Sequence, residues 1–140
     1  MSAEKMILVV DDDPFLRELL EAILSTPQRQ IISVATGADA LGRLALPPPD
    51  AVLLDLELPD ISGMEVLRQL RSAATWTNVR VLMLTASHDL ENIIAAKAGG
   101  AAGYVCKPVQ PRKLQMMLDD LLADPSLIWL DDYTRAHKPG

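Results

Sequence analysis

The sequence has one cysteine, Cys106, among its 140 residues, and it has few basic side chains. A single thiol excludes a disulfide framework within the chain and a thiolate metal cluster. Lysine and arginine number 13 against 19 aspartates and glutamates, which gives a net charge of −6. Direct binding to nucleic acid is therefore not expected, because its affinity comes largely from basic side chains on phosphates.

Long apolar runs are also missing. No run approaches the roughly 20 residues of a membrane-spanning helix, and no charged leader precedes an apolar stretch as a secretory signal requires. We therefore expect a cytoplasmic protein that does not engage a membrane. With 140 residues, 49% of them hydrophobic, the chain is long enough to form one domain with a sizeable core.

Short apolar runs and amphipathic segments alternate five times along the chain. Strands are predicted over residues 6–10, 30–35, 51–55, 79–84 and 102–106. Helices are predicted from Pro14 to about Pro27, over about 37–45, from a Ser62 cap to about residue 74, over about 89–98, and from Pro111 to about residue 123. This strict alternation predicts an α/β fold, namely a doubly wound parallel sheet of five strands with five helices on its two faces.

The last part of the chain is less regular. Asp124-Pro125 ends the fifth helix, residues 127–130 are apolar, and residues 131–140 are polar. The pattern allows either a sixth element or a linker, and we favour the linker. We therefore divide the chain into a domain over residues 1–123 and a C-terminal tail, or the start of an interdomain linker, over residues 124–140.

Residues able to bind a metal ion or a phosphate follow four of the predicted strands. Three aspartates (11–13) follow the first strand, Asp55 ends the third, Thr85 follows the fourth and Lys107 follows the fifth. Sites in open parallel sheets form at these carboxyl ends. We therefore expect these side chains to converge at one edge of the sheet.

Carboxylates that converge raise one another's pKa unless a cation compensates them. Mg²⁺ prefers one or two carboxylates, a carbonyl and waters, commonly with a phosphate oxygen. Asp11 and Asp12 with Asp55 can form a partial site of this kind, which leaves room for a phosphoryl group. Lys107 can neutralise one phosphate oxygen, and the Thr85 hydroxyl can donate to another. The groups needed for phosphoryl transfer to an aspartate are all present.

Each of these residues also has an ordinary explanation. Asp55 can be a strand-ending residue whose carboxylate accepts from loop N–H groups, and the aspartates at 11–13 can be turn and cap residues. Thr85 can be a packing or capping residue, and Lys107 can be solvated. Their joint placement at four strand ends is what favours a site.

Four motifs carry a resemblance to a known family. They are residues 7–14 (ILVVDDDP), 54–63 (LDLELPDISG), 84–86 (LTA) and 104–108 (YVCKP). In order and separation they closely resemble the receiver domain of two-component response regulators, over roughly residues 5–123. The resemblance implies a flavodoxin-like sheet with the strand order 2-1-3-4-5.

The resemblance also implies a role for each site residue. Asp55 would accept a phosphoryl group from the phosphohistidine of a sensor histidine kinase or phosphotransfer protein. Mg²⁺ would bind the three carboxylates of the partial site, with the backbone carbonyl of Glu57 as a further ligand. Thr85 and Lys107 would contact the phosphoryl oxygens, and the Lys107–Pro108 peptide bond would be cis.

The family's switch is implied as well. Thr85 would move toward the phosphoryl group and Tyr104 would turn inward, although an ordinary edge aromatic is the alternative for Tyr104. Glu57, Ala86 and Ser87 would line the entrance to the site. There Ala86 leaves room for the donor, while the other two tune the lifetime of the phosphoryl group.

The remodelled surface would be the face of the fourth helix, fifth strand and fifth helix. An output domain, a downstream protein or a second copy in a homodimer would bind there. Residues 101–103 (AAG) lack the acidic pair that many DNA-binding relatives carry, which argues against a salt-bridged dimer. The chain would be a signalling phosphoacceptor and not an enzyme, with chemistry limited to self-catalysed phosphoryl transfer and autodephosphorylation.

Two other functions remain open. Asp11-Asp12-Asp13 also fits the Asp-x-Asp motif of haloacid-dehalogenase-like phosphatases, in which Asp11 would be the nucleophile. Against this, Phe15 stands where that family has Thr or Val, and the loop after Asp55 would be unexplained. The second is a degenerate receiver that serves only as a phosphorylation-independent interaction module, against which the intact acidic, Thr and Lys positions argue.

Overall fold

Seven strands form one sheet in the computed structural model, which describes residues 4–139. They are β1 (Lys5–Val10), β2 (Arg29–Val34), β3 (Ala51–Asp55), β4 (Arg80–Thr85), β5 (Gly103–Cys106), β6 (Leu127–Asp131) and β7 (Arg135–His137). Their spatial order is β2-β1-β3-β4-β5-β6-β7. Strands β1 to β6 are parallel to their neighbours, and β7 is antiparallel to β6.

Five α-helices flank the sheet: α1 (Pro14–Leu24), α2 (Gly37–Gly42), α3 (Gly63–Ser72), α4 (Leu90–Ala98) and α5 (Pro111–Ala123). Short 3₁₀ turns follow α2 (Arg43–Ala45) and α3 (Ala74–Trp76). Polar caps explain where three of the helices begin. The side chains of Asp13, Thr36 and Ser62 each accept from a backbone N–H in the first turn of α1, α2 and α3.

The hydrophobic core lies on both faces of the sheet. Ile7 and Val9 of β1 pack on the side of α1 and α5, whereas Leu8 and Val10 pack on the side of α2, α3 and α4. Alternate residues of a strand point to opposite faces, so a strand covered on both sides must be apolar throughout. The polar side chains are left at the strand ends.

The predicted doubly wound α/β fold is confirmed, and β1 to β5 have the expected order 2-1-3-4-5. Two helices are shorter than predicted. α1 ends at Leu24, ahead of Pro27, and α2 ends at Gly42 and continues as a 3₁₀ turn to Ala45. Pro47 and the two prolines after it cannot donate the N–H bonds that a further α-helical turn needs.

The sheet has two more strands than predicted, because the segment after Asp124 forms β6 and β7 where we favour a linker. β6 pairs with β5, with Gly103 opposite Leu130 and Tyr104 opposite Asp131. This pairing covers the edge of β5, and Leu127, Trp129 and Leu130 of β6 are buried. The predicted domain begins at residue 1 and the predicted tail ends at residue 140, but residues 1–3 and 140 lie outside the described residues.

Between residues 4 and 139, no helix combines the length and the apolar character that crossing a membrane requires.

Candidate functional site

The carboxyl ends of β1 and β3 bring the predicted acidic residues together. The two strands are neighbours, with Val10 opposite Leu54, so that Asp11 and Asp55 emerge side by side. One carboxylate oxygen each from Asp11, Asp12 and Asp55 lie within 4.8 Å of one another. Asp11 and Asp55 are buried, whereas Asp12 is exposed. We call these three aspartates with Thr85 and Lys107 the acceptor pocket.

Lys107, which follows β5, is the cation of the acceptor pocket. Its Nζ lies 2.7 Å from Asp11 Oδ2 and 3.5 Å from Asp55 Oδ2. Burial alone would lower the pKa of Lys107, but the hydrogen bond and charge of Asp11, with a smaller contribution from Asp55, outweigh it and raise that pKa. The ammonium is therefore charged at neutral pH, held between two buried carboxylates.

Asp55 ends β3 and is only 4% exposed. Its Oδ1 accepts a hydrogen bond from the backbone N–H of Glu57 at 3.0 Å. Burial raises the pKa of Asp55, the charge of Asp11 adds to that effect, and the Glu57 N–H and Lys107 oppose it. The hydrogen bond from a loop N–H, which is the ordinary explanation for a strand-ending aspartate, is thus present together with the acidic cluster.

The charges of the acceptor pocket do not balance within the protein. Three carboxylates face one ammonium, and two of those carboxylates are removed from water. Burying an anion is costly unless it is paired. Carboxylate oxygens at this spacing are the hard ligands that Mg²⁺ takes, and it commonly fills its remaining positions with water and phosphate oxygen. The residues present fit a magnesium ion.

The loop after β3 is held close to the acceptor pocket by Gly63. A Cβ added at Gly63 would collide with the backbone oxygen of Asp55 and lie 2.7 Å from the Cα of Leu56. The Gly63 N–H donates to the Leu56 carbonyl at 2.8 Å, so α3 begins directly against the end of β3. Without a side chain at this position, the loop returns tightly enough to position Glu57 beside Asp55.

Thr85 and Tyr104 are connected through Ser87. The buried Thr85 hydroxyl accepts from the Ser87 N–H at 3.0 Å, and the Tyr104 hydroxyl donates to the Ser87 carbonyl at 3.0 Å. Tyr104 is 1% exposed, so its ring already lies inside the protein, and burial raises the pKa of its phenol. Thr85 and Tyr104, to which the resemblance gives a role in the switch, therefore both contact the backbone of Ser87.

The residues predicted at the entrance lie one or two positions after Asp55 or Thr85 in the chain. Glu57 and Ala86 are exposed and Ser87 is half-buried. The Lys107–Pro108 peptide bond is cis, and the Lys107 N–H donates to the Thr85 carbonyl at 2.7 Å. That bond holds the Lys107 segment beside the end of β4.

Two residues near the pocket were not anticipated from the sequence. The Arg17 guanidinium donates to the backbone carbonyl of Asp11 at 2.8 Å and so holds the end of β1 against α1. The Asp60 carboxylate accepts from the backbone N–H groups of Gly37 and Ala38 at 2.9 and 2.8 Å, which ties the loop after β3 to the start of α2. Neither contact has a motif of its own in the sequence.

Comparison with known proteins gives a consistent picture. A family model described as response regulator receiver domain matches residues 7–119. The transcriptional regulatory protein KdpE of Mycobacterium tuberculosis is 42% identical over 103 residues, which are 74% of this chain and 44% of KdpE. The DNA-binding response regulator MtrA of Mycolicibacterium smegmatis is 40% identical over 108 residues, which are 77% of this chain and 46% of MtrA. The chain thus spans about half the length of the curated relatives it matches.

Among solved structures, a CheY-like response regulator receiver domain protein from Methanospirillum hungatei superimposes with a TM-score of 0.82 at 28% identity. The superposition covers 88% of this chain and 97% of that one.

Proposed function

Because the chain belongs to the response regulator receiver domain family, and is therefore a receiver of two-component signal transduction, we propose that Asp55 is its phosphoacceptor. The observation that carries the proposal is the Lys107 ammonium, which contacts the buried Asp11 carboxylate and lies 3.5 Å from Asp55. It occupies the position from which it can balance the charge of a phosphoryl group on Asp55.

The phosphodonor is a phosphohistidine of a sensor histidine kinase or of a phosphotransfer protein. A carboxylate oxygen of Asp55 forms a bond to phosphorus while the bond from phosphorus to the histidine nitrogen breaks, and the released imidazole takes up a proton from water. Lys107 and the Thr85 hydroxyl stabilise the phosphoryl oxygens, where charge develops during the transfer. The chain thereby catalyses its own phosphorylation and, with water as the attacking group, its own dephosphorylation.

Asp11, Asp12 and Asp55, with the backbone carbonyl of Glu57, would hold Mg²⁺ in the acceptor pocket. When bound, the ion neutralises charge on the carboxylate and phosphoryl oxygens. Phosphorylation adds about −1.5 to −2 charges at neutral pH to a pocket that already has more carboxylates than cations. A divalent cation in this pocket therefore favours both the transfer and its product.

The output switch runs through Ser87. When the Thr85 hydroxyl turns to donate to the phosphoryl group, it gives up the hydrogen bond from the Ser87 N–H. The carbonyl of the same residue holds the Tyr104 hydroxyl at 3.0 Å, so the change is transmitted to β5. The face of α4, β5 and α5 then changes its affinity for an output domain, a downstream protein or a second copy.

These events take place in the cytoplasm, where ATP-dependent kinases form phosphohistidine.

The lifetime of the phosphoryl group depends on Glu57 and Ser87 at the opening of the pocket. Either side chain can position or exclude the water that attacks the phosphoryl group. We expect the Glu57→Ala, Ser87→Ala double variant to change the rate of dephosphorylation, measured after removal of the donor. An unchanged rate would remove both residues from this role.

Two alternatives are distinguished by measurement and are not favoured. A phosphatase of the haloacid-dehalogenase type would be phosphorylated on Asp11, whose carboxylate is instead engaged by Lys107 at 2.7 Å. An inert interaction module would not respond to a phosphoryl analogue. With Mg²⁺ and beryllium fluoride we expect the NMR signals of Tyr104 to shift.

The proposal is tested with radiolabelled acetyl phosphate and Mg²⁺. We expect Asp55→Asn to abolish incorporation of acid-labile phosphate, because an amide cannot form the acyl phosphate. Asp39→Asn is the matched control, since Asp39 is exposed on α2 and is not part of the acidic cluster, and it should be labelled like the wild type. Full labelling of the Asp55→Asn chain would overturn the assignment.

A further inference from the structure

Within the face formed by α4, β5 and α5, the edge of β5 is already covered in this chain. Strands β6 and β7, residues 127–137, form an antiparallel pair that we call the C-terminal hairpin. β6 runs along the free edge of β5, where Gly103 faces Leu130 and the Leu130 N–H donates to the Ala102 carbonyl at 2.9 Å. The hairpin thus supplies the neighbouring strand that the edge of β5 otherwise lacks.

Apolar side chains on both faces of β6 hold the hairpin in place. Leu127 and Leu130 enter the core on the α5 side, and Trp129 enters the core on the α4 side. All three are at most 2% exposed, whereas Ile128 between them is 44% exposed. The burial pattern is that of a strand fitted between two helices.

Charged contacts fix the hairpin to α4 and α5. Arg135 lies 2.7 Å from Asp120, Lys113 lies 2.9 Å from Asp132, and both Arg135 and Asp132 belong to the hairpin. From α4, the Lys97 ammonium lies 5.0 Å from the centre of the Trp129 ring. Every element of the face therefore contacts the hairpin.

Gly103 permits this close approach. A Cβ at Gly103 would collide with the backbone oxygen of Leu130 and lie 2.6 Å from Leu82 Cδ1. The absence of a side chain at the first residue of β5 is what lets β6 pair with it. Gly42, with no atom within 4 Å of an added Cβ, is the contrasting case.

We propose that the α4–β5–α5 face is an internal docking site whose occupant is the chain's own C-terminal hairpin. A protein partner or a second copy that binds the β5 edge must first displace residues 127–137. The face is therefore regulated by hairpin release, a step separate from the chemistry at Asp55. This inference rests on the hairpin contacts and would stand even if Asp55 were not phosphorylated.

Hydrogen exchange on the full chain gives the first test. We expect the backbone amides of 127–131 to exchange at least about tenfold more slowly than in an unstructured chain. Leu130→Asn should abolish that protection while leaving the amides of β1 protected, because it releases the hairpin alone. Ile128→Asn, on the exposed side of the same strand, should change nothing. Loss of protection in β1 together with β6 would show that β6 is an integral core strand and would overturn the proposal.

The Gly103→Ala variant, with Gly42→Ala as its control, is a second and independent way to release the hairpin. It leaves every hairpin side chain unchanged and should again remove protection from 127–131, while the amides of β1, which the added Cβ does not approach, stay protected. Retained protection in this variant would contradict the close approach on which docking depends.

A synthetic peptide with the sequence of residues 124–139 tests occupancy directly. Fluorescence anisotropy should show the peptide binding the Leu130→Asn chain at least about tenfold more tightly than the wild type, a difference of about 1.4 kcal/mol, because the wild-type site is filled. Equal affinity for the two chains, or binding to neither, would overturn the proposal.

Discussion

In the acceptor pocket, buried Asp11 and Asp55 share one ammonium, and each has a specific polar partner. In the C-terminal hairpin, Leu127, Trp129 and Leu130 fill apolar space, and the ion pairs with α5 are partly exposed. The pocket contains charge that the protein leaves unbalanced, as a metal and phosphoryl site requires. The hairpin contains almost no buried charge, as expected of a segment held by packing. The two regions should therefore respond differently to substitution.

Removing the pocket's ammonium should have the largest effect. Lys107→Met leaves the fully buried Asp11 carboxylate without a charge partner, and breaking a buried ion pair in this way costs about 3–5 kcal/mol. Denaturant unfolding measures the loss, and phosphotransfer should also be abolished. Lys113→Met is the matched control, since its pair with Asp132 in the hairpin is more exposed and should be worth no more than about 1 kcal/mol. Equal losses in the two variants would remove the distinction between the regions.

Truncating the hairpin's buried aromatic should come next. Trp129→Ala removes a side chain that is 2% exposed. We expect the free energy of unfolding to fall by about 3 kcal/mol, the low end for such truncations, because the hairpin can undock instead of preserving a cavity. Ile128→Ala should cost no more than about 0.5 kcal/mol. Phosphorylation of Asp55 should persist in both variants. Loss of labelling in Trp129→Ala would show that the hairpin and the acceptor pocket depend on each other, contrary to our account.

Neutralising Asp55 should stabilise the protein. Because burial raises the pKa of Asp55 in the folded state above its unfolded value, its ionised form is disfavoured by folding, and Asp55→Asn removes that penalty. We expect Asp55→Asn to have a higher free energy of unfolding and a higher Tm than the wild type at pH 7 without Mg²⁺, a change smaller than the loss in Trp129→Ala.

The pH dependence of the stability difference between Asp55→Asn and the wild type tests the sign of this effect. The stabilising effect of a protonated Asp55 is complete below the unfolded pKa and is lost as pH rises through the folded pKa. The difference between Asp55→Asn and the wild type should therefore disappear in acid and be full at neutral pH. A difference that grows as the pH falls would contradict the raised pKa.

The smallest effect is expected at the rim of the hairpin. Arg135 and Asp120 form an ion pair whose side chains are 48% and 41% exposed. Arg135→Ala should cost no more than about 0.5 kcal/mol, and the loss should shrink with added salt. A larger loss of unfolding free energy that does not depend on salt would show that charged contacts, and not packing, hold the hairpin in place.

The two regions also differ in how far they could be predicted from sequence. The pocket could be predicted because parallel topology brings strand ends together, and Asp11, Asp55 and Lys107 each follow an apolar strand. Their polar character at such positions is itself the signal. The contact of Asp60 was missed because it joins segments that only the folded chain brings near one another. The contact of Arg17 spans only six residues, but it depends on the direction of one flexible side chain.

The hairpin could not be derived in the same way. Four apolar residues, 127–130, followed by polar sequence fit either a strand or a linker. What favours the strand is the edge of β5, above all the missing side chain of Gly103, which the sequence of the hairpin does not encode. The outcome depends on tertiary pairing and not on local propensity.

Locating the acyl phosphate tests the central proposal most directly. After phosphorylation with Mg²⁺, borohydride reduces an aspartyl phosphate to homoserine, which mass spectrometry then locates in tryptic peptides. Asp55 lies in the peptide of residues 44–68 and Asp11 in that of residues 6–17, so the two are resolved. We predict homoserine at position 55 and an unmodified Asp11. Homoserine at position 11, or at neither position, would contradict the account.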